Sequence, residues 1–416
     1  MICRVWVCAV LLLVSSSVAA AEREALTLRD STELSIERYP GSGPDLILYL
    51  PTGLGRAEGE ARLAAALAKQ RISVWRPDFL EARFLPALES SLSEISDDDL
   101  VDVLRAAQST GKRVYLLAAA RGGVLALRTV TAAAQAKLPP PAGLILLHPN
   151  AYVGAPAPGA EAQFHPATAR VHVPVFVLQP ERSPWRWRLT SLETELRRGG
   201  ASVYTQFLPD VRDRFFFRPD ATPAEERAAR NLPAHIQRAL TMLARERPAA
   251  PTAASASTAR PAAGGERRGL QPYKGDATPP SLVLDDLAGK RHALADYRGR
   301  VVLVNFWASW CPPCVHEMPS MQRLAVKLAG QPFTILAVNM GEDEKTIRAF
   351  LKKIKVEFPI LLDRDGAALK RWKVFVFPTS FLIGPDGRIR YALFGEYAWD
   401  EPEAVQVIEE LLGDKR

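Results

Sequence analysis

The chain has 416 residues, more than one hydrophobic core ordinarily serves, so two domains are expected. Its 48% hydrophobic and 24% charged residues mark a globular protein. The net charge of +7 is scattered, with no basic helix or arginine-rich arm, so it is read as solubility and not as nucleic-acid binding.

At the N-terminus, Arg4 precedes an apolar run from Val5 to Val14, then Ser15-Ser16-Ser17 and the small residues Val18-Ala19-Ala20-Ala21. This is the pattern of an export signal over residues 1–21; the run is shorter than the roughly 20 residues a membrane span needs. An uncleaved anchor is the alternative. Cys3 and Cys8 leave with such a signal, and the mature chain keeps only Cys311 and Cys314. One close pair in an exported protein points to redox chemistry more than to a disulfide framework.

Residues 22–245 alternate short apolar runs with helical periodicity. Strands are expected at Asp45–Leu50, Ile72–Trp75, Arg113–Leu117, Gly143–Leu147, Val173–Leu178 and Ser202–Leu208, and helices at Glu60–Lys69, Asp97–Ala107 and Val124–Ala134. Such alternation argues for a parallel, doubly wound α/β sheet. Residues 246–278, rich in Ala and Pro, lack large apolar side chains over Pro248–Ser257 and are expected to be a flexible linker.

A second α/β domain is expected over residues 279–416. Ser281–Leu284 and Arg291–Leu294 flank Ala288-Gly289-Lys290 as a hairpin, and Val301–Phe306 is a buried-strand pattern. Cys311 opens a helix reaching about Leu328. Phe333–Val338 is a strand, Glu344–Lys353 a helix, Thr379–Ile383 and Ile389–Leu393 an antiparallel pair, and Glu401–Leu412 a closing helix.

The chemistry concentrates in Cys311-Pro312-Pro313-Cys314. A cysteine at a helix start meets free N–H groups and the positive end of the helix dipole, which favour thiolate, the nucleophile of disulfide exchange. Two intervening residues bring Cys314 back within one turn, close enough to resolve a mixed disulfide. The prolines suit the first turn, where a missing N–H costs little. Two other readings stay open: half of a metal site, for which the mature chain has no second cysteine pair, and a structural disulfide.

Val304-Asn305-Phe306-Trp307-Ala308-Ser309-Trp310-Cys311-Pro312-Pro313-Cys314, then Glu317-Met318-Pro319, and downstream Phe377-Pro378-Thr379-Ser380-Phe381-Leu382-Ile383, resemble the thioredoxin superfamily. More narrowly, residues 276–416 resemble its exported TlpA/ResA-like branch, associated with reduction of protein disulfides and with cytochrome c maturation. The resemblance implies that Cys311 attacks, that Cys314 resolves, and that Pro378 is the cis-proline beside the disulfide. Trp310, Phe377 and Thr379 would form the substrate-docking surface. Asn305 stands where thioredoxins usually carry a buried acid. Glu317, three residues past Cys314, is then the proton acceptor, with a pKa raised by partial burial. His316 is read as surface. The implied partners are exported proteins with disulfides and a membrane thiol–disulfide electron donor. No cofactor, metal or nucleic acid is called for. A copper- or metal-binding chaperone and a disulfide-forming oxidase remain as rivals.

In the first domain, Ala118-Ala119-Ala120-Arg121-Gly122 resembles the α/β-hydrolase nucleophile elbow, G-x-S-x-G, with Ala120 in the serine position. Thr52-Gly53-Leu54-Gly55 resembles the oxyanion loop. Glu181 falls near the acid position, and no histidine follows the last strand, around Leu208–Phe216. The resemblance implies a hydrolase-like fold without its triad. His148 is expected to be a hydrogen-bonded core or rim residue. Arg182, Trp185, Arg186, Trp187 and Arg188 form either a binding surface or a solvated loop whose tryptophans cover the core.

Overall fold

A computed structural model describes residues 21–53, 57–154, 156, 160–246 and 270–413. The expected signal (but for Ala21), most of the expected linker, and Leu54 and Gly55 of the expected oxyanion loop lie outside the described residues. The first domain contains β1 (Glu22–Thr27), β2 (Glu33–Tyr39), β3 (Asp45–Tyr49), β4 (Ser73–Pro77), β5 (Arg113–Ala119), β6 (Gly143–Leu147), β7 (Val175–Arg182) and β8 (Val203–Arg212). Its helices are α1 (Glu58–Lys69), α2 (Phe79–Ala82), α3 (Asp97–Gln108), α4 (Gly122–Gln135), α5 (Leu189–Arg198) and α6 (Pro223–Leu243).

These strands make one eight-stranded sheet in the order β1-β2-β4-β3-β5-β6-β7-β8. From β4 through β8 all neighbours are parallel; β2 pairs antiparallel with both β1 and β4. The antiparallel hairpin β1–β2 was not expected from the sequence, because Glu22, Arg23, Glu24 and Ala25 are all exposed on β1 and show no apolar alternation.

The inner strands read as unbroken apolar runs because both faces are covered. On β5, Val114, Leu116 and Ala118 face a core shared with α3, α4 and α5, while Tyr115, Leu117 and Ala119 face one shared with α1 and α6. Capping fixes the helix starts: Ser96 accepts from Asp99 N at α3, and Thr222 with Glu225 forms a reciprocal box at α6.

The second domain contains β9 (Gln271–Pro272), β10 (Val283–Asp285), β11 (Arg291–Ala293), β12 (Val301–Trp307), β13 (Phe333–Met340), β14 (Ile360–Asp363), β15 (Thr379–Ile383) and β16 (Ile389–Phe394). Its helices are α7 (Pro312–Lys327), α8 (Glu344–Leu351), α9 (Ala367–Arg371) and α10 (Pro402–Gly413). Its main sheet runs β14-β13-β12-β15-β16-β9; β12, β13 and β14 are parallel, and β15, β16 and β9 continue antiparallel. Gln271–Pro272, expected in the linker, is therefore an edge strand, the one sheet position where proline's missing N–H is harmless. Strand β12 again divides its side chains. Leu303 and Trp307 pack toward α7 and α10, and Val302, Val304 and Phe306 pack toward α9 and Trp372. Asn305 therefore points to the α7 side, by the two-residue period of a strand.

The aromatic–basic cluster is neither a solvated loop nor an open surface. Beyond β7, Ser183 caps a short 3-10 turn, Pro184–Arg188, by accepting from Trp185 N at 3.1 Å. That turn packs on the second domain: Trp187 joins the core of Phe306, Leu369 and Trp372, and Arg188 Nη2 donates to Val374 O at 3.1 Å. Its partners lie more than a hundred positions away, which no local pattern reveals.

Candidate active site

Strand β12 ends at Trp307, the chain turns through Ala308-Ser309-Trp310, and Cys311 caps α7 from an extended conformation. Pro312 and Pro313 occupy the first two helical positions, where no intrahelical N–H partner is lost. Cys311 and Cys314 are disulfide-bonded with Cα atoms 5.3 Å apart. Cys311 Sγ also accepts from Cys314 N at 3.4 Å. The two cysteines are not equivalent. Cys311 keeps 6% exposure and Cys314 none. Ser309 anchors the turn: its N–H and hydroxyl both donate to Glu342, at 2.7 and 2.5 Å, and Glu342 also accepts from Asn339 Nδ2 at 2.8 Å.

Glu317 lies one helical turn past Cys314 and is 2% exposed, more deeply buried than its sequence position predicts. Its Oε1 accepts from Asn305 Nδ2 at 2.7 Å and its Oε2 from Tyr397 N at 3.2 Å. Asn305 Nδ2 donates as well to Ser380 Oγ at 2.9 Å. Burial pushes the Glu317 carboxyl up to about 8, against the opposing pull of these hydrogen bonds. A carboxyl so placed is protonated at neutral pH and exchanges its proton over the range where thiols titrate. Tyr397, beyond β16, is the member of this group that the sequence did not disclose. Its contribution is a backbone N–H, which carries no residue signature.

The opposite wall is the loop into β15. The Phe377–Pro378 bond is cis, Pro378 is buried, and Pro378 O accepts from Gly395 N at 2.9 Å. Trp310 and Phe377 meet edge to face at 5.9 Å, so the two loops close on one another beside Cys311. Among the described residues, nothing hydrogen-bonds to the backbone N–H or C=O of Phe377. Thr379 departs from its expected docking role. It is fully buried, and its hydroxyl donates inward to Val376 O at 2.6 Å, because it is the first residue of β15, paired between β12 and β16. His316 is exposed, 3.6 Å from Glu396. Among the described residues, no group of three or more His, Cys, Asp or Glu is placed to hold a metal, and no helix is long and apolar enough to cross a membrane.

In the first domain, Ala120 follows β5 at φ +48°, the left-handed turn in which this sheet would present a nucleophile, and Gly122 opens α4. A Cβ at Gly122 would stand 2.4 Å from Pro51 O, so only glycine lets the turn approach the end of β3. Alanine offers no reacting atom. His148 is fully buried, and burial together with the Arg214 charge pulls it down to about 3; its Nε2 accepts from Arg214 N at 3.3 Å. Asp213, just after β8, is pushed up to about 7 by burial. Glu181 lies within β7 itself, which runs on to Arg182, and not on a loop after it.

Comparison with known proteins places the redox site in context. Residues 275–392 match the AhpC/TSA family. Over 119 residues the chain is 41% identical to thiol-disulfide oxidoreductase ResA of Geobacillus thermodenitrificans, covering 29% of this chain and 68% of that protein. The ResA of Bacillus subtilis is 41% identical over 110 residues, 26% of this chain and 62% of its own. The crystal structure of StoA from Bacillus subtilis aligns with 32% of this chain and 98% of its own, at 26% identity and a TM-score of 0.28.

Proposed function

Through its C-terminal domain the chain belongs to the ResA-like thiol-disulfide oxidoreductases, and from that premise we propose that it reduces disulfides of exported proteins, with Cys311 as nucleophile. The observation that carries the assignment of roles is the unequal burial of the two cysteines, with protonatable Glu317 one turn behind the hidden one. In the reduced enzyme the Cys311 thiolate attacks one sulfur of the substrate disulfide. A mixed disulfide forms, and the other substrate sulfur leaves as a thiolate and takes a proton. Glu317 must first release its own proton; its carboxylate form, whose share grows toward pH 8, then takes the proton of Cys314, and the Cys314 thiolate attacks Cys311 Sγ. The mixed disulfide breaks, the second substrate thiol departs, and two electrons have passed from the enzyme dithiol to the substrate. The Cys311–Cys314 disulfide left behind is re-reduced by the dithiol of a membrane donor. Pro378 packs beside the pair, and Phe377 and Trp310 hold the substrate segment.

Export rests on the pattern of residues 1–21. The strand order of the first sheet and the turn at Ala120 support descent of that domain from an α/β-hydrolase without its nucleophile. Trapping tests the assignment of roles. A Cys314→Ser variant mixed with a disulfide-bonded substrate is expected to accumulate a mixed disulfide at Cys311, visible by mass. If Cys311→Ser accumulates it instead, the roles are reversed.

A further inference from the structure

The turn at Pro184–Arg188 reaches both loops that frame Cys311. The Trp187 ring sits between Gly341, which follows β13, and Gly366, which precedes α9. A Cβ at either would lie 2.5 Å from the indole, and both glycines hold positive φ. Gly341 adjoins Glu342, the acceptor that holds Ser309 two residues before Cys311. The second reach runs to the cis-proline loop. Arg188 Nη2 donates to Val374 O at 3.1 Å, and its guanidinium lies 5.2 Å over the Phe375 ring. Phe375 also stands edge-on to Tyr152 at 5.2 Å and to Trp185 at 5.4 Å, and it keeps only 4% exposure. It is three residues before Pro378. Glu161 adds an ion contact to Lys373 at 3.8 Å.

A tether that only raises local concentration needs no contact with the catalytic loops. Here two aromatic side chains, Tyr152 and Trp185, and one bidentate-capable cation, Arg188, converge from the first domain on the segment that leads into the substrate-binding bond, while Trp187 packs on the turn that adjoins Glu342. An aromatic ring packed on three sides and a charge-assisted bond to a backbone carbonyl fix a loop against rotation. We propose that Trp185 and Arg188, with Tyr152, are positioning residues for the loop 373–378, and that Trp187 positions the Gly341 turn that adjoins Glu342. The first domain then sets how the active site receives a protein substrate, and does so without touching the sulfurs. The proposal rests on the reading that Cys311 and Cys314 carry disulfide exchange.

The test uses the full chain and insulin as disulfide substrate. Wild type and Cys311→Ser establish the exchange reaction itself; if both turn over insulin equally, the functional reading has failed. Trp187→Ala and Arg188→Ala then address the positioning. Each is expected to raise KM for insulin roughly tenfold. The rate with dithiothreitol, which needs no docking loop, and the reduction potential should stay within about twofold of wild type. Arg188→Lys, which keeps the charge and loses the planar fork, should fall between. An unchanged KM in both alanine variants overturns the proposal, as does a shift in potential together with the dithiothreitol rate, which would mean that the contacts act on the cysteines. Should Trp187→Ala not fold, amide exchange in Arg188→Ala decides. Exchange at Lys373 and Val374, whose N–H groups bond to Lys370 and Leu369 carbonyls, should accelerate about tenfold, and equal protection rejects the proposal.

Discussion

The molecule contains two strand–turn–helix junctions of the same kind, and only one is equipped for chemistry. Strand β5 turns through Ala120 into α4; strand β12 turns through Ser309-Trp310 into α7, capped by Cys311. Each junction offers a helix N-terminus at the carboxyl end of an inner strand, and each domain buries a carboxyl with a raised pKa, Asp213 at about 7 and Glu317 at about 8. The second junction differs in having a polarisable nucleophile at the cap, a second sulfur one turn on, and the shifted acid on the same helix as both. A prepared backbone and a perturbed acid do not make a site unless a reacting atom stands between them.

Erasing the difference has the largest expected effect. Cys311→Ala makes the second junction resemble the first, and disulfide turnover should fall roughly a thousandfold or more, to background, in an insulin-reduction assay. Activity retained by that variant would place the chemistry elsewhere. Glu317→Gln removes the proton acceptor and leaves the dithiol. Resolution of the mixed disulfide should slow about a hundredfold, and the limb of the pH–rate profile near 8 should vanish. An unaltered profile would reduce Glu317 to a packing residue.

The same carboxyl makes a stability prediction whose sign is fixed. Folding raises its pKa, so the folded state holds a proton that the unfolded state has released between about pH 4.5 and 8. Its favourable contribution is complete below the unfolded value and lost as pH rises through the folded one, by on the order of 5 kcal/mol. Urea unfolding of the oxidised full-length protein at pH 5, 7 and 9 should show that decline, and Glu317→Gln should flatten it. Asp213→Asn should flatten the decline over the lower window, up to about pH 7, and leave insulin turnover within about twofold of wild type. Loss of turnover in that variant would connect the first domain's acid to the reaction. The smallest effect is expected from Ala120→Ser, which restores a hydroxyl at the elbow. Hydrolysis of a p-nitrophenyl ester should stay at background, since His148, bonded to Arg214 just after β8, is fully buried and its lowered pKa makes it a weak base. Appreciable ester hydrolysis would show that the old cleft keeps a working base.

What the sequence disclosed follows from how local each feature is. Cys311 and Cys314 stand with two residues between them at one helix start, so spacing locates them, while Glu317 and Phe377–Pro378 were singled out by the resemblance of the stretches around them to exported thioredoxins. The doubly wound first sheet was legible because β3, β5 and β6 are apolar on both faces. The polar hairpin β1–β2 was not, nor was β9, where two residues form an edge strand inside a stretch of linker composition. Depth was also missed. Glu317 is sealed by Asn305 from β12 and the Tyr397 backbone, and Thr379 is turned inward by its place in β15, neither visible along the chain. The tryptophan–arginine turn was noticed for its composition, but its partners at Gly341, Gly366 and Phe375 exist only in three dimensions.

The direction of electron flow is the central claim, and the reduction potential of the Cys311–Cys314 pair tests it most directly. Equilibrating the purified full-length protein with dithiothreitol should give a strongly reducing value, about −270 mV, as expected of a dithiol that reduces its substrates. A value near −120 mV would contradict the account and make the protein a catalyst of disulfide formation.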